Sequence, residues 1–174
     1  LATDSFIIPL LLLLNIGIAI VYNLGSNIFL GEISYITKAI TAILQLGVTM
    51  DFSIFLYHKY EENMKKEKDK KKAMSLAIEE TFKSIIGSSL TTFAGFLSLC
   101  TMDLTLGTDI GVVMAKGVLW GLITVLTLFP AMLLVFGKII NKTKHKVILP
   151  EFKAIQKLAI KRPVVILIIF VLLF

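Results

Sequence analysis

The sequence has one cysteine, Cys100, so no disulfide can form within it and nothing argues for an oxidising compartment. It begins without a methionine, shows no signal-peptide pattern and stops at Phe174 inside an apolar run, which predicts a segment of a longer protein. It has one arginine, Arg162, against 17 lysines, a bias that points to an AT-rich genome and so to a bacterium. Charge is scarce, at 17% of residues, and nearly absent from several stretches as long as the roughly 18–20 apolar residues that cross a bilayer core. With 56% hydrophobic residues and a mean hydropathy of +0.87, the chain is excluded from ordinary soluble domains. It reads as an all-α, polytopic membrane helix bundle. A formal charge of +6 would suggest a nucleic-acid partner in a soluble protein. Here the lysines sit in loops, so the excess marks membrane topology and implies no nucleic acid.

Residues 5–24 make a first spanning helix, with Pro9 near its first turn, where a missing N–H costs least. A turn with Gly25 and Gly31 leads to a second span from about Tyr35 to Tyr60. Residues 59–83 carry eight lysines and six acids and are expected to form a cytoplasmic loop. Its last part, Ala73 to Lys83, has helix-spaced apolar residues at Met74, Ala77, Ile78 and Phe82, predicting an amphipathic helix on the membrane surface. The third span covers 84–102, a short acidic turn follows, and the fourth span covers 111–136. Residues 1–137 are thus a four-helix transmembrane bundle. Residues 138–163 are a basic cytoplasmic connector whose Phe152, Ile155, Leu158 and Ala159 line one face of an interfacial helix. Residues 164–174 begin a fifth span. The two lysine-rich segments hold 15 lysines and the arginine, whereas the opposite turns offer Glu32, Asp103 and Asp109. The positive-inside rule puts the lysine-rich segments and the N-terminus in the cytoplasm of a multi-pass cell-membrane protein.

Against this background one carboxylate stands out. Asp51 lies nine residues before Tyr60, hence ~13 Å inside the membrane, close to its middle. An ionisable group there costs about 2.5–3.5 kcal/mol to insert, so function is its default explanation. Burial in low dielectric favours the neutral acid, so a carboxyl at this depth can take up and release a proton as its surroundings change from wet to dry. The alternative is an Asp satisfied by neighbouring hydroxyls for helix packing alone. Gly47 precedes it by one helical turn and Phe52 follows it. On the third helix Ser88, Ser89, Thr91 and Thr92 fall near the same level, as do Thr124 and Thr127 on the fourth. These hydroxyls could serve the carboxyl or hold water, or could bond only their own helix backbone.

Lys116 lies ~30 Å from the inner face, too far out to pair with Asp51, and is expected to snorkel to the outer headgroups or an absent domain. Lys38 reads the same way. Gly107, Gly111 and Ala115, and Gly117 and Gly121, are spaced by four and let the fourth helix pack closely. His58 with Glu61 and Glu62 has a spacing that metals can use, but at a membrane edge beside lysines it reads as a solvated cluster. Asn141 opens a glycosylation sequon that the topology places in the cytoplasm. No cofactor or metal is expected.

The stretch "LGVTMDFSIFLYHKYEE" resembles the fourth transmembrane helix of the RND superfamily, in particular its MMPL branch, whose pattern is Gly-x-x-x-Asp-Tyr followed by apolar residues and a basic-Tyr-acidic exit. "SIIGSSLTTFAGFLSL" is similar to that family's fifth helix and "LTLFPAMLLVFGK" to the end of its sixth. "TDSFIIPLLLLL" resembles the start of the third, and "AIKRPVVILIIF" the approach to the seventh. The resemblance covers essentially the whole chain, in order. It implies an RND-type transmembrane half: helices three to six of a first repeat, the connector and the start of helix seven. A second repeat and extracytoplasmic domains of the same full-length protein would be its partners.

The resemblance implies a secondary transporter that uses the proton-motive force to export lipids or other hydrophobic or amphipathic molecules, not an enzyme. Asp51 would be the proton relay, with Gly47, Phe52, Ser88, Thr91 and Thr92 as neighbours. The sequence departs from the motif at Phe52, where the family has Tyr, so a hydroxyl available to the second repeat is missing. The alternative is a non-transporting module of the same architecture, such as a sterol-sensing-like sensor or a protein-translocation accessory. An intramembrane aspartyl protease needs two facing carboxylates, and only Asp51 lies at mid-membrane depth.

Overall fold

The computed structural model describes residues 5–29, 33–102 and 104–143. The interfacial helix and fifth span expected beyond Thr143 lie outside these residues, as do Glu32 and Asp103. The described chain is helical: α1 (Ile7–Gly25), α2 (Tyr35–Lys66), α3 (Lys70–Ser98), α4 (Thr105–Leu126), α5 (Leu128–Val135) and α6 (Gly137–Lys142), with short 3-10 turns after α1 and α3. Four spans are long and apolar enough to cross a membrane, the fourth running through α4 and α5. α2 and α4 pack together at the centre, and both α1 and α3 pack on this pair.

Residues 59–83, expected as a loop with a surface helix, are instead the tip of a helical hairpin. α2 continues to Lys66, three residues turn the chain, and α3 starts at Lys70. Pairing explains the continuity. Lys59 and Lys66 both reach Glu62 at 2.8 Å, Lys59 also lies 3.4 Å from Glu80 across the hairpin, and the Tyr57 hydroxyl is 2.7 Å from Glu61. His58 lies 3.6 Å from Glu61, completing a surface network, and no metal-ligand cluster occurs among the described residues. Asp69 caps α3 by accepting from the Lys71 N–H at 3.0 Å. The apolar face of Ala73, Met74 and Ala77 is not laid on the membrane surface; it is buried in the bundle core.

At the turn itself, Lys72 donates to Glu67 at 2.8 Å and holds that carboxyl below its ordinary range. The contribution of this pair is present above the ordinary glutamate value and is lost as pH falls through the depressed one. A carbon-13 NMR titration of Glu67 should therefore show a midpoint below that of an isolated glutamate. Lys72→Met should move it upward; an unchanged midpoint would exclude the pairing in solution.

The distal turn is shorter than the sequence indicates. α4 is already helical at Thr105, so Asp109 stands on the helix and not in a loop. Gly107 and Gly111 permit this tight return: a Cβ at Gly107 would lie 3.0 Å from the Leu99 carbonyl. Further on, Pro130 has no N–H to offer the Leu126 carbonyl, and the span breaks at Thr127 between α4 and α5.

The interior divides along the membrane normal. Toward the lysine-rich end it is apolar, built on Ile8, Leu56, Met74, Ile85, Phe129 and Leu133. Toward the distal end buried polar residues join apolar ones such as Ile16, Met114 and Val118. On α2, Thr37, Thr41, Gln45, Thr49 and Ser53 recur every fourth residue and are all buried, a stripe ~24 Å long. Asn15 and Asn23 of α1 meet it: the Asn15 amide donates to Ser53 at 3.3 Å and the Asn23 amide to Gln45 at 2.8 Å. Gln45 in turn donates to the Gly117 carbonyl at 3.2 Å. Gly117 and Gly121 make room for this clasp, since a Cβ there would meet Asn23 at 2.6 Å and Thr49 at 2.7 Å. The close packing anticipated from the glycine spacing of α4 is therefore present, and its partners are polar.

Candidate functional site

Asp51 lies midway along α2, two residues from both Thr49 and Ser53. At 100° per residue this turns it away from the buried stripe. Its side chain is exposed, with no hydrogen bond or ion pair to the described residues. It lines a pocket of about 440 Å³ between α2 and α3, together with Val48, Phe52, Phe55, Ser84, Ile85, Ser88 and Thr92. The four described spans alone thus do not bury the carboxyl; they leave it at the edge of a concave outer face.

Of the neighbours expected from sequence, Phe52, Ser88 and Thr92 share that pocket. Gly47 and Thr91 are not among its lining residues. Gly47 is exposed, and a Cβ added to it would find no atom within 4 Å. Phe52 is only 8% exposed and belongs to the apolar core as well as to the pocket wall. Thr124 is level with Asp51 but points into the bundle, where it donates to the Gly121 carbonyl at 3.0 Å. Thr127 donates to the Ile123 carbonyl at 2.6 Å.

The hydroxyls beside Asp51 already spend their protons. Ser88 donates to the Ser84 carbonyl at 2.9 Å, and Thr91 and Thr92 both donate to the Ser88 carbonyl at 2.8 Å. Their oxygens keep free lone pairs, so these three can accept hydrogen bonds from water, while Ser84, also in the pocket wall, keeps its hydroxyl available as a donor. The carboxyl is open to water and to any group entering the pocket.

α3 carries the most exposed of the four spans: 11% of its most apolar window is buried, against 33% to 44% in the others. Its open surface has an apolar stripe of Phe82, Ile86, Leu90 and Leu97 and, beside it, a small-residue stripe. Ser84, Gly87, Ser88, Thr91, Gly95 and Ser98 are all exposed. A small, hydroxyl-rich helix face suits close contact with another helix better than contact with acyl chains.

Lys116 does not approach Asp51. It donates to the Asn27 side chain at the distal end of α1. Lys38 is exposed at the same end. The polar stripe of α2 and its asparagine partners are the functional-looking feature that charge and motif reasoning passes over. Its signal was available: uncharged polar residues at every fourth position of an otherwise apolar helix.

The family model described as "MMPL family" matches residues 1–166. The membrane protein ActII-3 of Streptomyces coelicolor is 34% identical over 120 residues, covering 69% of this chain and 17% of that protein. The "Apo-petrobactin exporter" of Bacillus anthracis is 33% identical over 100 residues, 58% of this chain and 14% of that protein. The "Probable transport protein MmpL4" of Mycobacterium leprae is 28% identical over 171 residues, 94% of this chain and 18% of that protein. The chain thus spans less than a fifth of the length of each of these three relatives. No solved structure gives a significant match.

Proposed function

We propose that this chain, which belongs to the MMPL family, is part of a proton-driven exporter of lipid-like or other amphipathic molecules and that Asp51 is its proton relay. The observation that carries the reading is the placement of Asp51: a carboxyl at mid-span, facing outward into a hydroxyl-lined pocket, with no described partner. A charge in that position calls for cover and for a partner. The small-residue face of α3 beside it supports cover by a further set of helices, which we assign to a second repeat of the same protein. Two relatives named as an exporter and a transport protein support the class. The lysine-rich hairpin supports a cytoplasmic placement of that end. In this reading Asp51 takes a proton from one side and releases it on the other, and the change of charge alters how the two halves pack.

The test is transport by the complete protein in proteoliposomes, with a fluorescently labelled fatty acid as probe. Movement of the probe should follow an imposed pH gradient and stop when an ionophore collapses it. Transport indifferent to that collapse would sink the proton-driven reading.

Phe52→Tyr tests the departure from the family motif. The new hydroxyl enters at the pocket wall, where water or Asp51 can satisfy it, so gradient-driven transport should persist. Loss of transport with the fold intact would mean that this protein relies on an apolar ring beside the carboxyl.

A further inference from the structure

The groove that holds Asp51 continues toward the lysine-rich end. On α2, Asp51, Phe55 and Lys59 follow one another at every fourth residue; on α3, Ser88, Ser84 and Glu80 do so in the opposite direction. Asp51, Phe55, Ser84 and Ser88 all line the pocket, and one turn further on the Lys59 ammonium lies 3.4 Å from the Glu80 carboxylate. The two helices therefore keep step. The α2–α3 groove leads from Asp51 to this ion pair over eight residues, ~12 Å. Lys59 adjoins Tyr60, the inner end of the second span by sequence, so the pair stands where the bilayer core ends.

Glu80 keeps one oxygen open. Lys59 and Asn63 both approach its Oε2, each at 3.4 Å, while its Oε1 has no partner among the described residues. Lys59 is shared with Glu62, which it reaches at the shorter distance of 2.8 Å. The other charged neighbours are Glu79 and Lys83 on α3 itself. α5 packs on α3 without a charged residue, and α4 carries its charges, Asp109 and Lys116, toward the distal end. Between the two carboxyls stands Ser84. Ser88 and Thr92 donate to carbonyls one turn back, at 2.9 and 2.8 Å, whereas the exposed Ser84 hydroxyl makes no such bond. It can accept from one neighbour and donate to the next. Phe55 presents an apolar ring to the groove from α2, so the polar route lies along α3.

We propose that Glu80 is the proton acceptor at the lysine-rich end, reached from Asp51 through groove water and the Ser84 hydroxyl. The proposal rests on the relay role of Asp51 and the cytoplasmic placement of the hairpin given above. Protonated Asp51 gives its proton to water and is left as the carboxylate. The Ser84 hydroxyl takes up one proton and passes its own on. The Glu80 carboxylate receives it at Oε1 and yields it to the cytoplasm. Lys59 favours the anionic form of Glu80 between turnovers, and Ser84 is a positioning residue for the water.

The complete protein in proteoliposomes, with the dye pyranine on the side of the hairpin, reads proton release during gradient-driven transport. Glu80→Gln should slow release by about a hundredfold, the lower range for a positioned proton-transfer group, and excess imidazole on that side should restore it. Lys59→Met breaks the same ion pair but keeps the carboxyl. Release should persist there with its pH profile moved to higher pH, because the lost cation no longer favours the carboxylate. Ser84→Ala should slow release less than Glu80→Gln does, and Glu79→Gln should leave it unchanged. Wild-type release from Glu80→Gln would overturn the proposal. So would an equal loss in Lys59→Met that imidazole does not restore, which would make the pair a structural clasp. Asp51→Asn in the same assay separates the two readings. Normal release from it removes the relay itself, whereas background release from it beside wild-type release from Glu80→Gln removes Glu80 alone.

Discussion

Asp51→Asn is expected to reduce gradient-driven export by the complete protein to background while leaving its amount in the membrane and its unfolding temperature unchanged. The substitution is nearly isosteric and removes the ionisable group, and with it the ability to carry a proton. Because Asp51 faces outward and bonds none of the described residues, the helices around it lose no contact. A structural carboxyl would behave in the opposite way, with stability falling and activity following it. Radiolabel efflux from cells and a thermal melt of the purified variant read the two quantities separately. Normal efflux from Asp51→Asn would remove the relay assignment altogether.

The second large effect concerns stability. Gly111→Ala should destabilise the bundle by about 1–3 kcal/mol, the range for overpacking a close contact. The new Cβ would lie 2.7 Å from both the Phe96 carbonyl and the Cys100 sulfur. The sulfur can rotate away, but the carbonyl belongs to α3 and moves only if the helix crossing opens. Gly47→Ala is the control. It places the same methyl group on the same kind of helix with nothing within 4 Å, and should be neutral in melts of the described bundle. Equal melting temperatures for the two variants would show that the α3–α4 crossing is looser than described. The contrast also separates two uses of glycine that look alike in sequence, one closing a contact inside the bundle and the other leaving a face open.

Where the sequence was informative, it was so for physical reasons that act locally. A bilayer demands about 20 apolar residues per span, so the number and order of spans could be read directly. Depth at 1.5 Å per residue brought Thr92 and Ser88 to the level of Asp51, and all three line one pocket. Element ends were legible only in part. Composition alone separates polar from apolar residues, but it does not say that Lys59, Glu62, Lys66 and Glu80 would pair and keep the hairpin helical well past Tyr60. The distal turn is shorter than expected because the close contact anticipated from the spacing of Gly107 and Gly111 starts in the first turns of α4. The polar stripe that runs through the distal half of the core was not foreseen. The i+4 spacing of Thr, Gln and Ser was there to be read, but that this face turns inward depends on Asn15 and Asn23 being set against it. Phe52 shows the limit of motif reasoning. The motif marked it as a missing hydroxyl, whereas its packing makes it part of the apolar core.

The account rests on Asp51 carrying a proton at a site accessible from outside the four described spans. Dicyclohexylcarbodiimide reacts with protonated carboxyls in apolar surroundings, and peptide mass spectrometry locates its adducts. Treated in proteoliposomes, the complete protein should acquire the adduct on Asp51, faster at lower pH, with export declining in step with labelling. Full labelling of Asp51 with export intact, or loss of export with Asp51 unlabelled, would contradict it.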